Sequence, residues 1–212
     1  AGIDFIICDH HLPDATMPAA VAVLDPKRPD CTYPFDELSG CGIGFKLIQA
    51  YARRHGDETA VYCYLDLVAV SIASDIVPVT GENRILAYFG LQRLNSEPCA
   101  GLRALMEISG LRRELDVDSV VFSLGPRINA AGRIAHAHGA VELLVCESIE
   151  QARVMAGALN VHNAERREFD AAISEEAEAM IQADEKERNA WSTVVYKENW
   201  HKGVVGIVAS RL

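Results

Sequence analysis

The chain opens with a short apolar stretch that ends in three polar residues. Residues 3–8 are apolar except for Asp4, and Asp9-His10-His11 follow directly. An unbroken apolar run of this length is typical of a parallel strand that is buried on both faces. Open α/β sheets bind ligands beyond the carboxyl ends of their strands, where a carboxylate and two imidazoles suit a divalent metal ion. The alternative is a capping Asp beside two exposed histidines.

Helical spacing of apolar positions dominates the next hundred residues. A second apolar run, residues 20–24, and a proline-containing loop, residues 26–40, come first. The segment 58–77 is apolar on nearly all sides, which is typical of a core helix. The helix is expected to end at Asp75, an acid that is unfavourable at a helix C-terminus unless a cation such as a metal ion compensates it, although an ordinary loop carboxylate is the alternative. The helical segments are 45–54, 58–77, 81–95, 98–110 and 116–124.

Residues 149–189 have the apolar spacing of one long helix. A helix of that length measures about 60 Å, which is typical of a connector between two domains. Asn160, Asn163 and Arg167 share one face and interrupt its apolar stripe. This polar set marks either a cleft that the helix crosses or a solvated face. Residues 192–196 then predict the first strand of a second domain, and residues 200–206 a loop that opens a helix.

The stretch 125–134 combines two arginines, two glycines and no acid. Glycines let a backbone approach an anion closely and arginines bind phosphate bidentately, so the stretch predicts a compact phosphate cradle. A loop whose arginines pair with the surplus acids of the chain is the alternative.

Composition and charge are those of a soluble protein without a membrane span. Of 212 residues, 50% are hydrophobic and 24% charged, and no apolar stretch approaches the roughly 20 residues of a membrane helix. The net charge is −10, but residues 147–187 contain eleven acids and four bases and so contribute −7. A basic patch elsewhere is therefore compatible with the composition. Six cysteines without Cys-x-x-Cys spacing and the lack of a signal sequence predict a cytoplasmic protein without a zinc–thiolate site.

Taken in order, the motifs closely resemble the RecJ family of single-strand-specific DNA exonucleases, in the DHH phosphoesterase superfamily. The resemblance extends over essentially the whole chain, and the stretches 125–133 and 200–206 are more specific than Asp-His-His. It implies an α/β fold with part of a DHH-type parallel sheet flanked by helices, a connector helix and the start of a second α/β domain. The implied domains are 1–147, the C-terminal part of the DHH phosphoesterase domain, 148–189, the connector helix, and 190–212, the truncated start of the DHH-associated domain. The motifs are Asp9-His10-His11, Asp75, Gly125 to Arg133, Leu159-Asn160, Asn163, Arg166-Arg167 and Trp200 to Arg211.

The resemblance also implies roles for individual residues. His10 and Asp75 correspond to ligands of a two-metal site for Mn²⁺ or Mg²⁺. Asp9 is expected to orient the histidines or to join the metal shell, and His11 to contact the scissile phosphate. The residues expected to bind DNA are Arg127, Asn129, Gly132, Arg133, His201, Gly203, Gly206, Ser210 and Arg211.

The implied activity is 5′-to-3′ hydrolysis of single-stranded DNA in repair and recombination, with a single-strand-binding protein and a helicase as partners and no membrane. One alternative is a DHH phosphodiesterase that acts on short oligonucleotides or cyclic dinucleotides, and another is a non-catalytic scaffold that binds single strands. Family aspartates expected before Asp9 are not in this sequence. We therefore expect the 212-residue chain to be a fragment with an incomplete metal site, an open sheet edge and no hydrolytic activity of its own.

Overall fold

The computed structural model describes residues 2–111 and 113–212. It contains a two-stranded parallel sheet, β1 (Ile6–Cys8) beside β2 (Ala22–Leu24), with Ile7 opposite Val23. Helices make up most of the remaining chain, so the predicted α/β class is confirmed. The helices are α1 (Gly40–His55), α2 (Leu65–Ser74), α3 (Gly81–Ser96), α4 (Ala100–Ile108), α5 (Val117–Ser119), α6 (Gly125–Ile134), α7 (His138–Val145), α8 (Ile149–Ala183), α9 (Glu185–Arg188) and α10 (Lys202–Ala209).

The chain divides into two compact units, Ala1–Gly125 and Pro126–Leu212. The domain borders predicted from the sequence, after residues 147 and 189, stay a prediction. No helix of the described part of the chain combines the length and apolar character of a membrane span.

The first unit is built around α2. Val68 and Ile72 on this helix are essentially inaccessible to solvent and pack with side chains from α1 and α3. Gly90 on α3 crosses α2 so closely that a Cβ there would overlap the carbonyl oxygen of Leu65. The buried Asp66 carboxylate accepts a hydrogen bond of 2.8 Å from the backbone N–H of Cys99, which fixes the start of α2. Only α2 within the predicted segment 58–77 is α-helical, because Glu58–Tyr64 forms a 3-10 helix.

The prediction that β1 is buried on both faces is wrong. Ile3, Phe5 and Ile6 are 70%, 61% and 56% exposed. Within residues 2–111 and 113–212, β1 is hydrogen-bonded to β2 alone, so its apolar side chains lack the second layer that buries a central strand.

The second unit is organised along α8, whose 35 residues measure about 52 Å. The predicted long helix is therefore confirmed, although it ends at Ala183 because Asp184 caps the short α9. Ile173 and Ala177 near the end of α8 pack against Val204 and Val208 of α10. This small core packs α10 against the C-terminal half of α8.

One local prediction in the second unit is wrong. Residues 192–196 form no strand in the described structure, and Val194 and Tyr196 are strongly exposed, because no neighbouring strand pairs with them. The stretch 125–134, for which a loop was the alternative to a phosphate cradle, forms helix α6. Its small residues Ala130 and Ala131 are buried, so they serve helix packing.

Candidate functional site

In the first unit, the predicted metal ligands His10 and Asp75 lie together. His10 Nε2 is 3.8 Å from Asp75 Oδ2, and the His10 side chain is only 17% exposed. The parallel ladder ends just before His10, where the N–H of Asp9 donates to the carbonyl of Leu24 at 3.0 Å. His10 then lies against Gly40 at the start of α1. The carboxyl end of β1 and the C-terminus of α2 therefore deliver these two side chains to one place.

Asp9 is engaged by its own loop. Its Oδ1 accepts hydrogen bonds from the N–H groups of His10 and His11, at 2.7 and 3.2 Å, and lies 2.7 Å from His11 Nδ1. The hydrogen bond with the His11 side chain, helped by those backbone donors, lowers the pKa of Asp9. Asp9 thus holds the His11 ring, whose side chain is 76% exposed, at the mouth of the site.

The backbone is strained directly after Asp75, at the end of α2. Its N–H continues the helical pattern to Ser71, whose hydroxyl lies 3.4 Å from Asp75 Oδ2. The next residue, Ile76, has a φ of 56°, which makes it the one non-glycine residue of the described chain in the left-handed region. This conformation is costly for a β-branched residue, and such strain is often found at functional sites.

Asn83 fixes the loop that follows Asp75, a role that sequence reasoning missed. Its side chain is fully buried, and Nδ2 donates to the carbonyls of Glu37 at 2.6 Å and Pro78 at 3.0 Å. Two loops on either side of the His10–Asp75 pair are joined in this way. A buried Asn early in a helix is invisible to apolar periodicity, because its partners are distant backbone atoms.

The donor set of His10 and Asp75 fits a divalent ion. Two ligands about 2.1 Å from one ion lie at most about 4.2 Å apart, and the observed separation is 3.8 Å. An imidazole and a carboxylate suit first-row divalent metals. No third His, Cys, Asp or Glu joins them in the part of the chain that the structure describes, so a second metal position is not formed there.

In the second unit, α6 exposes Asn129, Gly132 and Arg133 and turns Arg127 towards α8. Arg127 Nε donates to Asn160 Oδ1 at 3.0 Å, and burial together with the charge of Arg167 lowers its pKa. Because the backbone is helical here, any phosphate contact of this stretch falls to side chains such as Arg127 and Arg133.

The start of α10 is joined to the end of α6. Arg133 Nη1 donates to the carbonyl of Gly203 at 3.1 Å. His201 caps α10 by accepting from the N–H of Gly203 at 3.1 Å, and its ring stacks on Phe169 of α8 at 5.1 Å. Gly206 lies exposed further along α10. Arg133, His201 and Gly203, all predicted to bind DNA, are therefore neighbours.

Arg211 and Ser210 follow α10. The Ser210 hydroxyl donates within its own turn to Ile207 at 2.7 Å. Arg211 forms an ion pair with Asp170 of α8 and lies 3.3 Å from Ser174 Oγ. The partner of Arg211 was missed by sequence reasoning, which saw Asp170 only as part of an acidic segment.

The known proteins that this chain resembles are RecJ exonucleases. The family described as DHH family, N-terminal domain, matches residues 1–72. The single-stranded-DNA-specific exonuclease RecJ of Dickeya dadantii is 40% identical over all of this chain, which covers 39% of that protein. RecJ of Thermus thermophilus, solved with Mn²⁺, is 34% identical with a TM-score of 0.85 over 99% of this chain and 31% of its own. The same protein solved with Mg²⁺ has a TM-score of 0.82 and the same coverage. The chain therefore spans well under half the length of these relatives.

Proposed function

We propose that this chain belongs to the RecJ family of the DHH superfamily and that the protein is a metal-dependent exonuclease for single-stranded DNA. The observation that carries the proposal is the His10–Asp75 pair at the carboxyl end of β1. It lies in a chain that matches, from end to end, an enzyme solved with Mn²⁺ and with Mg²⁺. The degradation is proposed to run from the 5′ end, by hydrolysis of phosphodiester bonds.

His10 and Asp75 would hold a Mn²⁺ or Mg²⁺ ion. Such an ion supplies an acidified water and neutralises charge that develops on phosphate oxygens. Asp9 contacts the exposed His11 ring through Nδ1, and the ring would donate a hydrogen bond to the phosphate. Asn83 preserves the geometry by fixing the loop after Asp75.

The second unit would bind the strand through its phosphates. Arg127 and Arg133 supply guanidinium groups, and Asn129 an exposed amide on the same helix. Contacts of charged groups with phosphate depend little on base sequence and weaken steeply with salt. Six further residues are proposed for this role because they lie on the exposed side of α6 or around α10. They are Gly132, His201, Gly203, Gly206, Ser210 and Arg211.

The cellular setting follows from the family alone. A single-strand exonuclease of this kind would act in DNA repair and recombination in the cytoplasm. A single-strand-binding protein and a helicase are the proposed partners, because they present and generate the substrate.

The test is nuclease activity of the full-length protein on a 5′-phosphorylated single strand with Mn²⁺. We expect His10→Ala and Asp75→Ala to abolish cleavage, while His55→Ala, at an exposed histidine beyond the pair, retains it. Duplex DNA should be spared. A preference for oligonucleotides of a few residues would instead support a short-substrate phosphodiesterase, and strand binding without cleavage would support a scaffold.

A further inference from the structure

One face of α8 carries a row of polar side chains, each of which contacts an arginine side chain. Asn160, Asn163, Asp170 and Ser174 lie within about 80° of one another around the helix, at 3.6 residues per turn. Asn160 accepts from Arg127 at 3.0 Å and Asn163 from Arg166 at 3.3 Å. Asp170 and Ser174 lie at the far end of this row, which extends over about 21 Å.

Asp170 is the charged member of the row and contacts two arginines at once. Its Oδ1 pairs with Arg211, and its Oδ2 lies 3.8 Å from Arg166 Nη1. The Asp170 side chain is only 13% exposed, whereas that of Arg211 is 54% exposed. Asp170 and Ser174 therefore both accept from Nη2 of Arg211, while about half of the Arg211 side chain stays exposed.

Positive charge exceeds negative charge around this carboxylate. Burial, together with the neighbouring charges of Arg167, Arg133 and Arg211, lowers the pKa of Arg166 despite the pairing with Asp170. Arg167 is exposed and has no partner in residues 2–111 and 113–212. Arg133, Arg166, Arg167 and Arg211 thus bring four positive charges near one acid, Asp170. The surplus positive charge suits phosphate, whose oxygens match the guanidinium fork.

We propose that Asp170 is a positioning residue that presents Arg211 to the phosphates of the DNA strand, with the exposed Arg167 as a further phosphate contact. This inference rests on the proposed function and adds to it the residues on α8 that organise strand binding. Pre-organisation is the physical reason: a guanidinium already fixed by a carboxylate loses less conformational freedom when phosphate binds.

The sign of one substitution separates this role from simple electrostatics. Removing an acid beside arginines should strengthen attraction to DNA if only net charge matters. If Asp170 positions Arg211, Asp170→Asn should weaken binding although the protein becomes less negative. Glu168→Gln removes the same charge at an exposed position of α8 and is the matched control.

The experiment measures the affinity of the full-length protein for a fluorescent oligothymidylate in EDTA, over a range of salt concentrations. We expect Asp170→Asn to weaken binding about tenfold, and the slope of log K against log salt to fall by about 0.7 for each phosphate that the variant no longer binds. Glu168→Gln should bind as well as wild type or slightly better. Arg211→Gln should also weaken binding. The variant that carries both substitutions should bind DNA no more weakly than the single variant with the lower affinity, because both substitutions act through one guanidinium.

Ser174→Ala keeps the test independent of folding, because it removes only the second support of Arg211. It should weaken binding less than Asp170→Asn and leave the melting temperature unchanged. Binding by folded Asp170→Asn that equals or exceeds wild type, or independent effects of the Asp170 and Arg211 substitutions, would overturn the positioning role while the proposed function stands. A wild-type protein that binds no single strand would overturn both.

Discussion

Gly203 touches the backbone of Arg133 so closely that no side chain fits between them. A Cβ on Gly203 would overlap the Arg133 carbonyl oxygen, while Arg133 Nη1 donates to the carbonyl of Gly203 at 3.1 Å. The last turn of α6 and the first turn of α10 are therefore fixed against each other by backbone atoms. The glycine here serves close packing, and its conformation is that of an ordinary helical residue.

Gly203→Ala should therefore destabilise the second unit. The added methyl meets backbone, which cannot rotate away, and overpacking of this kind costs about 1–3 kcal/mol. Urea unfolding followed by circular dichroism measures the change. Gly206→Ala lies on the same helix with open space around it and should be neutral or stabilising by up to about 1 kcal/mol. Equal effects of the two substitutions would contradict the close contact.

Manganese should stabilise this chain through His10 and Asp75. An ion that binds the folded state raises the melting temperature with the logarithm of its concentration. With two protein ligands we expect this rise only at high Mn²⁺ concentration. The shift should vanish in His10→Ala and Asp75→Asn and persist in His55→Ala. A shift that survives both site substitutions would place the ion elsewhere.

Ile76→Gly should stabilise the first unit. The left-handed backbone costs a residue with a Cβ about 1–2 kcal/mol, and glycine avoids this cost while adding about 0.5–1 kcal/mol of entropy loss on folding. Since Ile76 is 81% exposed, little packing is sacrificed, and a net gain of about 0.5–1 kcal/mol remains. The change in the free energy of unfolding is read from urea titration. Val79→Gly, at a residue without positive φ, should destabilise, and stabilisation by both would refute the strain.

Acid should loosen the contact between α8 and the segment before α10. A 2.7 Å hydrogen bond from Trp200 Nε1, and then the ion pair with Lys197, lower the pKa of Glu176 from its ordinary 4.5. A carboxyl with a lowered folded pKa stabilises the fold above its unfolded pKa, and this contribution is lost as pH falls through the folded pKa. Trp200 fluorescence, recorded in a Trp191→Phe background, should therefore change below pH 4.5.

Glu176→Gln is the control for that titration. Glutamine still accepts from Trp200 but does not titrate, so the fluorescence change should disappear. An unchanged acid transition in this variant would assign it to another carboxyl.

The sequence predicted the elements that carry local signals. Apolar spacing over 45–54 and 149–189 made α1 and α8 recognisable, although the Ser39 cap that begins α1 at Gly40 was missed. His10 and Asp75 were selected by their positions at element ends. Their meeting at 3.8 Å was expected from the family resemblance, because no local pattern encodes the approach of two distant segments.

The failures have physical causes as well. The apolar composition of β1 predicted burial, but burial depends on neighbours that periodicity does not contain. Residues 192–196 have strand propensity, and propensity alone forms no strand without a partner. In the sequence, Asp170 is one acid among many on α8. Its role depends on Arg166 and Arg211, which only the fold brings into contact with it.

The close packing of α3 on α2 at Gly90 restricts the motion of Asp75 in the His10–Asp75 pair. Because α2 is wedged against α3 at that point and its start is tied to Cys99, the helix has no room to slide. The backbone that carries Asp75 therefore cannot move away as a mobile lid does, within microseconds to milliseconds. Asp75 should leave its position only when the core of the first unit opens, so the lifetime of this half of the site is the lifetime of the unit itself.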